Sequence, residues 1–125
     1  MKTTTAQFDY YAKRVRFWAE KYGLHNLHLS VVNEDFPGDD EEEASNTLGW
    51  AHLEPESGMA VVGLTPEIDA GTTQKRLDRV AFHEVWEVVL WGVRTRLRER
   101  GVKEGVINAE VHDIIRRAET AQFGF

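Results

Sequence analysis

The 125-residue chain has no cysteine, three prolines and two methionines. Without cysteine there is neither a disulfide nor a thiolate metal site, so any metal must be held by imidazole and carboxylate groups. An excess of positive charge is also missing: the formal charge is −6. Nucleic-acid binding relies on clustered Lys and Arg to neutralise phosphates, so duplex DNA is a poor choice of partner. No apolar run approaches the roughly 18 residues needed for a membrane span, and Met1 to Ala6 lacks the apolar centre of a signal peptide. A cytosolic protein without a membrane partner is therefore the expectation. What is present is ordinary for a globular protein, with 42% hydrophobic and 29% charged residues. The length suits one domain, residues 1–125, with one core.

Apolar residues at Phe8, Tyr11, Ala12, Val15, Trp18, Ala19 and Tyr22 follow helical spacing, and Gly23 is a plausible stop. Leu24 to Val32 reads as a first strand, with Leu27, Leu29 and Val31 alternating onto one face. Residues 33–46 contain Pro37, Gly38 and the run Asp39 to Glu43, which repels itself and is expected to form an acidic surface loop. Thr47 to Leu53 and Met59 to Leu64, separated by a stretch with Pro55 and Gly58, predict a hairpin. Thr72 or Thr73 caps a long helix running to about Arg100, where Gly101 ends it. Asn108 is the expected cap of a last helix, Ala109 to Ala121. The fold class is therefore α+β, in the order αβββαα, with a small, mainly antiparallel sheet packed on a long central helix.

That central helix carries an almost unbroken apolar segment from Val80 to Val93, predicting burial on all sides. Within it stand His83, Glu84 and Glu87. An unpaired buried charge costs several kcal/mol, comparable to the whole margin of a small domain, so three such groups imply a metal, a proton-sharing network or solvent access. Residues four apart differ by only about 40° around a helix, so His83 and Glu87 share one face and can reach one ion. Glu84 is about 100° away from His83 and can flank the same space. A third ligand has to come from another element, and His112, beside Glu110 and Asp113, is the best candidate. A His, Glu, His set suits zinc or another divalent ion.

The segment Ala81 to Leu90, preceded by sheet and followed by a helix with Glu110-Val111-His112-Asp113-Ile114-Ile115-Arg116-Arg117, resembles the small phage and prophage proteins described as zincin-like metallopeptidases. Zincins carry His-Glu-x-x-His on a helix, with two histidines holding zinc, a glutamate acting on water and an edge strand binding substrate backbone. The resemblance implies His83 and Glu87 as metal ligands, Glu84 as general base and Met59 to Leu64 as a substrate-side edge strand. It also implies a peptide or protein substrate and a phage-encoded protein working in the host cytoplasm. Glu87 departs from the motif, because a carboxylate stands where the second histidine belongs. It adds negative charge, weakens the Lewis acidity of a bound ion and moves preference toward harder ions, which makes metal binding the stronger claim and proteolysis the weaker one.

Against these stand plainer readings. His83 and Glu87 can form a structural ion pair, Glu84 can pair with Arg79 or Arg116, and His112 can be an ordinary helix histidine. His25, His28 and His52 belong on strand surfaces, and Trp86 and Trp91 in the core. Arg94, Arg96, Arg98 and Arg100 spread around the helix end and complement its dipole. Phe123 and Phe125 are exposed aromatics able to dock on a neighbour. A di-iron carboxylate site would need two Glu-x-x-His helices, and nucleophilic catalysis lacks its serine elbow or cysteine. The competing function is a non-catalytic phage-type accessory or interaction protein that keeps the fold without hydrolysis.

Overall fold

The computed structural model describes residues 1–37 and 48–124. The acidic run Asp39 to Glu43, with Thr47 and Phe125, lies outside them. Helix α1, Thr5–Lys21, opens with a capping box in which the Thr4 hydroxyl accepts from the Gln7 amide and the Gln7 side chain accepts from the Thr4 amide. It closes at Gly23, whose φ of 78° turns the chain so that the Leu24 amide donates to the Ala19 carbonyl and the Gly23 amide to Glu20. This turn uses Leu24 to Leu27, so strand β1 is His28–Val32, shorter than its apolar alternation suggested.

Strands β2, Gly49–Glu54, and β3, Met59–Leu64, form the expected hairpin. The sheet order is β1-β3-β2, with β1 parallel and β2 antiparallel to β3. The sheet is thus mixed, half parallel and half antiparallel. Met59 to Leu64 is consequently its centre and not an edge. The reason lies in side chains: Ala60, Val62, Gly63 and Leu64 are buried, as a central strand requires, whereas β2 exposes His52 and Glu54 and tolerates the edge.

The central helix also divides. Helix α2, Gln74–Val89, is capped by the Thr73 hydroxyl accepting from the Arg76 amide, and helix α3, Trp91–Glu99, begins after Leu90. β-branched Val88-Val89 and then Gly92, all weak helix formers, bracket the joint. α3 has no buried residue. Burial on all sides therefore fails, with Val80 and Trp86 only half-buried and no residue of α3 buried: a chain of this size has too few elements to cover both faces of so long an apolar stretch. At Gly101, φ 81°, the Val102 amide donates to Leu97 and ends α3 as Gly23 ends α1. Helix α4 is Glu104–Phe123, starting five residues earlier than the helix from Ala109 that a cap at Asn108 would give. Glu104 complements the dipole of its first turn, and Ile107 packs with Val111 and Ile115 into a small core against Trp86, Leu90, Leu97 and Val102.

The main core lies between the sheet, α1 and α2, and includes Tyr11, Val15, Trp18, Val62, Leu64, Leu77, Phe82 and Val85. Phe123 packs on Trp18 and Phe82, with ring centroids 6.0 and 5.3 Å away, so it belongs to this core and is no docking surface. Two glycines permit close approaches, one within the sheet and one between strand and helix. A Cβ on Gly63 would lie 2.1 Å from the Trp50 ring, which covers it from the paired position on β2. A Cβ on Gly49 would meet Val80, the Tyr11 hydroxyl and Glu84 at 2.8 to 3.1 Å. Gly49 thus lets β2 run directly against the face of α2 that bears Glu84. No helix among the described residues is long and apolar enough to cross a membrane.

Candidate metal centre

Helices α2 and α4 meet along a polar seam and run in opposite directions. Arg79, His83 and Glu87 recur every four residues on α2 and so share a stripe, while His112 and Glu119, seven apart, share one on α4. The inward face of α2, with Ala81, Phe82, Val85 and Val88, is fixed in the core, and the stripe beside it lies half-buried against α4. One ligand atom from each of His83, Glu87 and His112 lies within 4.8 Å of the other two. Glu87 Oε1 is 3.2 Å from His112 Nε2 and 3.7 Å from His83 Nε2. Donor atoms about 2.0–2.1 Å from a tetrahedral zinc are about 3.3 Å from one another, so both separations already suit one shared ion. The structure therefore brings the expected third residue, His112, to the expected pair, although from two turns inside its helix and not from the helix start.

Four further residues, Glu119, Arg79, Arg94 and Asn108, hold this cluster, none of them expected in this role from the sequence. The Glu119 carboxylate lies 2.6 Å from His83 Nδ1 and accepts from Arg79 Nε at 3.1 Å. A proton on Nδ1 leaves Nε2, the atom facing Glu87, with the lone pair that a metal requires; carboxylate partners of this kind orient metal-binding histidines in general. On the other side, Arg94 Nη2 donates to Glu87 Oε2 at 3.1 Å and its Nη1 to Asn108 Oδ1 at 2.6 Å. Arg94 therefore works in the seam and does not simply solvate the end of a helix. Asn108, expected as a cap, instead anchors it. The missed signal was the seven-residue step from His112 to Glu119, which places both on the side of α4 that meets α2.

Electrostatics follow from this arrangement. Burial pushes the His83 imidazolium pKa down, but the Glu119 hydrogen bond and the charges of Glu84, Glu119 and Glu87 outweigh it, and the net shift is upward. For Glu119, burial pushes upward and is outweighed by His83 and then Arg79, so its carboxyl titrates below the usual range. Without an ion, the seam is an ion-pair network with protonated His83 favoured.

Glu84 is buried and sits beside the cluster, 4.0 Å from His83 Nε2, between the seam and β2. Its charge, after burial, raises the pKa of the Tyr11 phenol, whose hydroxyl donates to the Gly63 carbonyl. Arg79 is engaged by Glu119, and Arg116 Nε donates to the His112 carbonyl. A cleft of about 390 Å³ opens from Glu84 and Glu87 along Gly49 to His52 of β2, walled by Trp91, Arg94, Arg98 and Asn108. Trp91 thus lines the cleft, its ring edge-on to His52 at 5.4 Å, while Trp86 packs with Tyr22 and Phe82. His28 and His52 are exposed on strand surfaces as expected, whereas His25, expected on the first strand, is exposed in the turn before it. Comparison with protein-family models, curated proteins and solved structures finds no match to this chain, so its chemistry has to be argued from these residues.

Proposed function

We propose that this α+β protein is a zincin-like metal-binding protein in which His83, Glu87 and His112 hold a divalent ion of the zinc class, with Glu84 as its acid–base residue. The observation that carries this reading is the convergence of two imidazole nitrogens and one carboxylate oxygen from two helices, with His83 Nδ1 already occupied by Glu119. A bound ion would supply Lewis acidity and acidify water at near-neutral pH. The chain's own part is to orient the ligands, exclude bulk water with Trp91 and the β2 edge, and move a proton at Glu84. In peptide hydrolysis, water oxygen would bond to the carbonyl carbon, the C–N bond would break, and Glu84 would take the water proton and return it to the departing nitrogen. An extended peptide paired with β2, the edge strand that borders the cleft, would lie along it, taking the place first assigned to Met59 to Leu64.

Elemental analysis of purified protein tests the first step: about one equivalent of metal is expected in the native chain and none in His83→Ala. A native chain that stays metal-free after incubation with zinc would overturn the site. With metal present, hydrolysis of unstructured peptides that is lost in Glu84→Gln supports the peptidase reading. Stoichiometric metal without turnover assigns the chain instead to the non-catalytic accessory class, the reading favoured by Glu87 in place of a histidine.

A further inference from the structure

We propose that Arg94 is the positioning residue that makes Glu87 serviceable in place of an imidazole, by occupying one carboxylate oxygen and cancelling its charge, and that it thereby selects zinc-class ions over larger oxygen-seeking ones. This rests on the metal-site reading above. The two oxygens of Glu87 are used differently. Oε1 faces both imidazoles, at 3.2 and 3.7 Å, while Oε2 is the oxygen nearest Arg94 Nη2, at 3.1 Å against 3.4 Å for Oε1. The guanidinium is itself fixed from the far side, because its Nη1 donates to Asn108 Oδ1 at 2.6 Å, and its side chain is 11% exposed. A planar fork held at both ends has little freedom to release Oε2.

Two consequences follow for ion choice. A carboxylate that offers one oxygen keeps coordination low, which suits zinc, whereas calcium takes six to eight oxygens and often both from one carboxylate. The paired arginine also restores the net charge of a neutral imidazole at the Glu87 position, so the electron-rich character that would favour hard ions is offset. The carboxylate therefore behaves in this seam as a neutral, single-atom donor. Its neighbours, and not its residue type, set the preference.

The test compares zinc and manganese dissociation constants, by competition with a chromophoric chelator, in the full chain and in Arg94→Gln, Arg94→Lys and Asn108→Ala. Loss of a residue that orients a ligand usually lowers affinity about 10- to 100-fold. Arg94→Gln should lower zinc affinity by about that factor while leaving manganese unchanged or tighter, because Oε2 is released. The zinc-to-manganese preference then falls about tenfold or more. Lysine keeps the charge without the fork and should restore part of the preference; Asn108→Ala should reduce it less than glutamine does. Cobalt-loaded protein gives an independent signature, with the intense visible absorption of low coordination weakening in Arg94→Gln. Zinc binding by the native chain with an unchanged preference in Arg94→Gln and Asn108→Ala overturns this inference alone. A native chain that binds neither ion overturns the underlying site as well. Should Arg94→Gln fail to fold, as judged by its melting curve, Asn108→Ala decides the question.

Discussion

Replacing Glu119 by glutamine in the metal-free protein isolates the charge that holds His83. Glutamine keeps nearly the same shape and can still accept from His83 Nδ1, so what disappears is the charge assistance at 2.6 Å and the pair with Arg79 at 3.1 Å. A hydrogen bond to a charged group contributes about 1.5–3 kcal/mol and a neutral one about 1 kcal/mol. Arg79 is 37% exposed, so its share is reduced to about 0.5 kcal/mol. The expected loss at pH 5.5 is about 1–2.5 kcal/mol, or roughly 3–12 °C in Tm for a domain of this size. The sign with pH is fixed by the two shifts. His83 has its pKa raised above 6.5 in the folded state, so its stabilisation is complete below 6.5 and is lost as pH rises through the folded value. Glu119 has its pKa lowered below 4.5, so its share is present above 4.5 and is lost as pH falls through the folded value. Both contributions coexist between these limits. Calorimetry in chelator should therefore show the largest gap between native and Glu119→Gln near pH 5.5, narrowing toward the Arg79 share of about 0.5 kcal/mol near pH 8.5. A gap of equal size at both pH values would refute the reasoning, because it would mean that Glu119 stabilises the fold without reference to the charge on His83.

Chelator should lower the Tm of zinc-loaded protein, since zinc at about a hundred times its dissociation constant adds about 2.7 kcal/mol to the folded state. Calorimetry with and without chelator reads this directly, and identical curves in native protein and His83→Ala would contradict it. Gly63→Ala should cost more than about 2 kcal/mol, because the new methyl would stand 2.1 Å from the Trp50 ring and force it out of place. Adding Trp50→Ala should cost much less in that background than in the native chain; two simply additive losses in denaturant melts would show that the ring does not rest on Gly63.

The parts of the fold that were legible in the sequence are those specified by neighbouring residues. Met59–Leu64 was readable to its exact bounds from a compact apolar run, and the cap was narrowed to Thr72 or Thr73, of which Thr73 serves, from their place before a helical pattern. Strand order was not, because the parallel pairing of β1 with β3 joins residues about thirty apart and no local pattern states which neighbour a strand will take. The division at Leu90 was hidden for the opposite reason: continuous hydrophobicity masked the weak helix formers around it. At the candidate site, the grouping of His83, Glu87 and His112 was legible from type and spacing, whereas Arg94 was read only as solvating a helix end and Glu119 drew no reading. Their roles depend on the facing helix, and only the packing of α4 on α2 supplies it.

The seam orders its charges in a way that a merely stabilising network would not need. Buried ion pairs seldom stabilise more than well-packed apolar residues would, so a row of them between two helices is weak evidence for a structural purpose. Here the permanently charged groups, Arg79 and Arg94, stand toward the two ends, each fixed on a carboxylate. The two imidazoles occupy the middle, facing Glu87 Oε1. A guanidinium cannot yield its proton near neutral pH, whereas an imidazole can, and on doing so it changes from a competitor of cations into a ligand for them. The ends of the seam therefore keep the helices paired in either state, while on the proposed metal-site reading its centre would exchange protons for a metal ion without leaving Glu87 or Glu119 unpartnered. That division of labour explains why carboxylates can serve both states: each already has an arginine that remains when the imidazolium charge is gone.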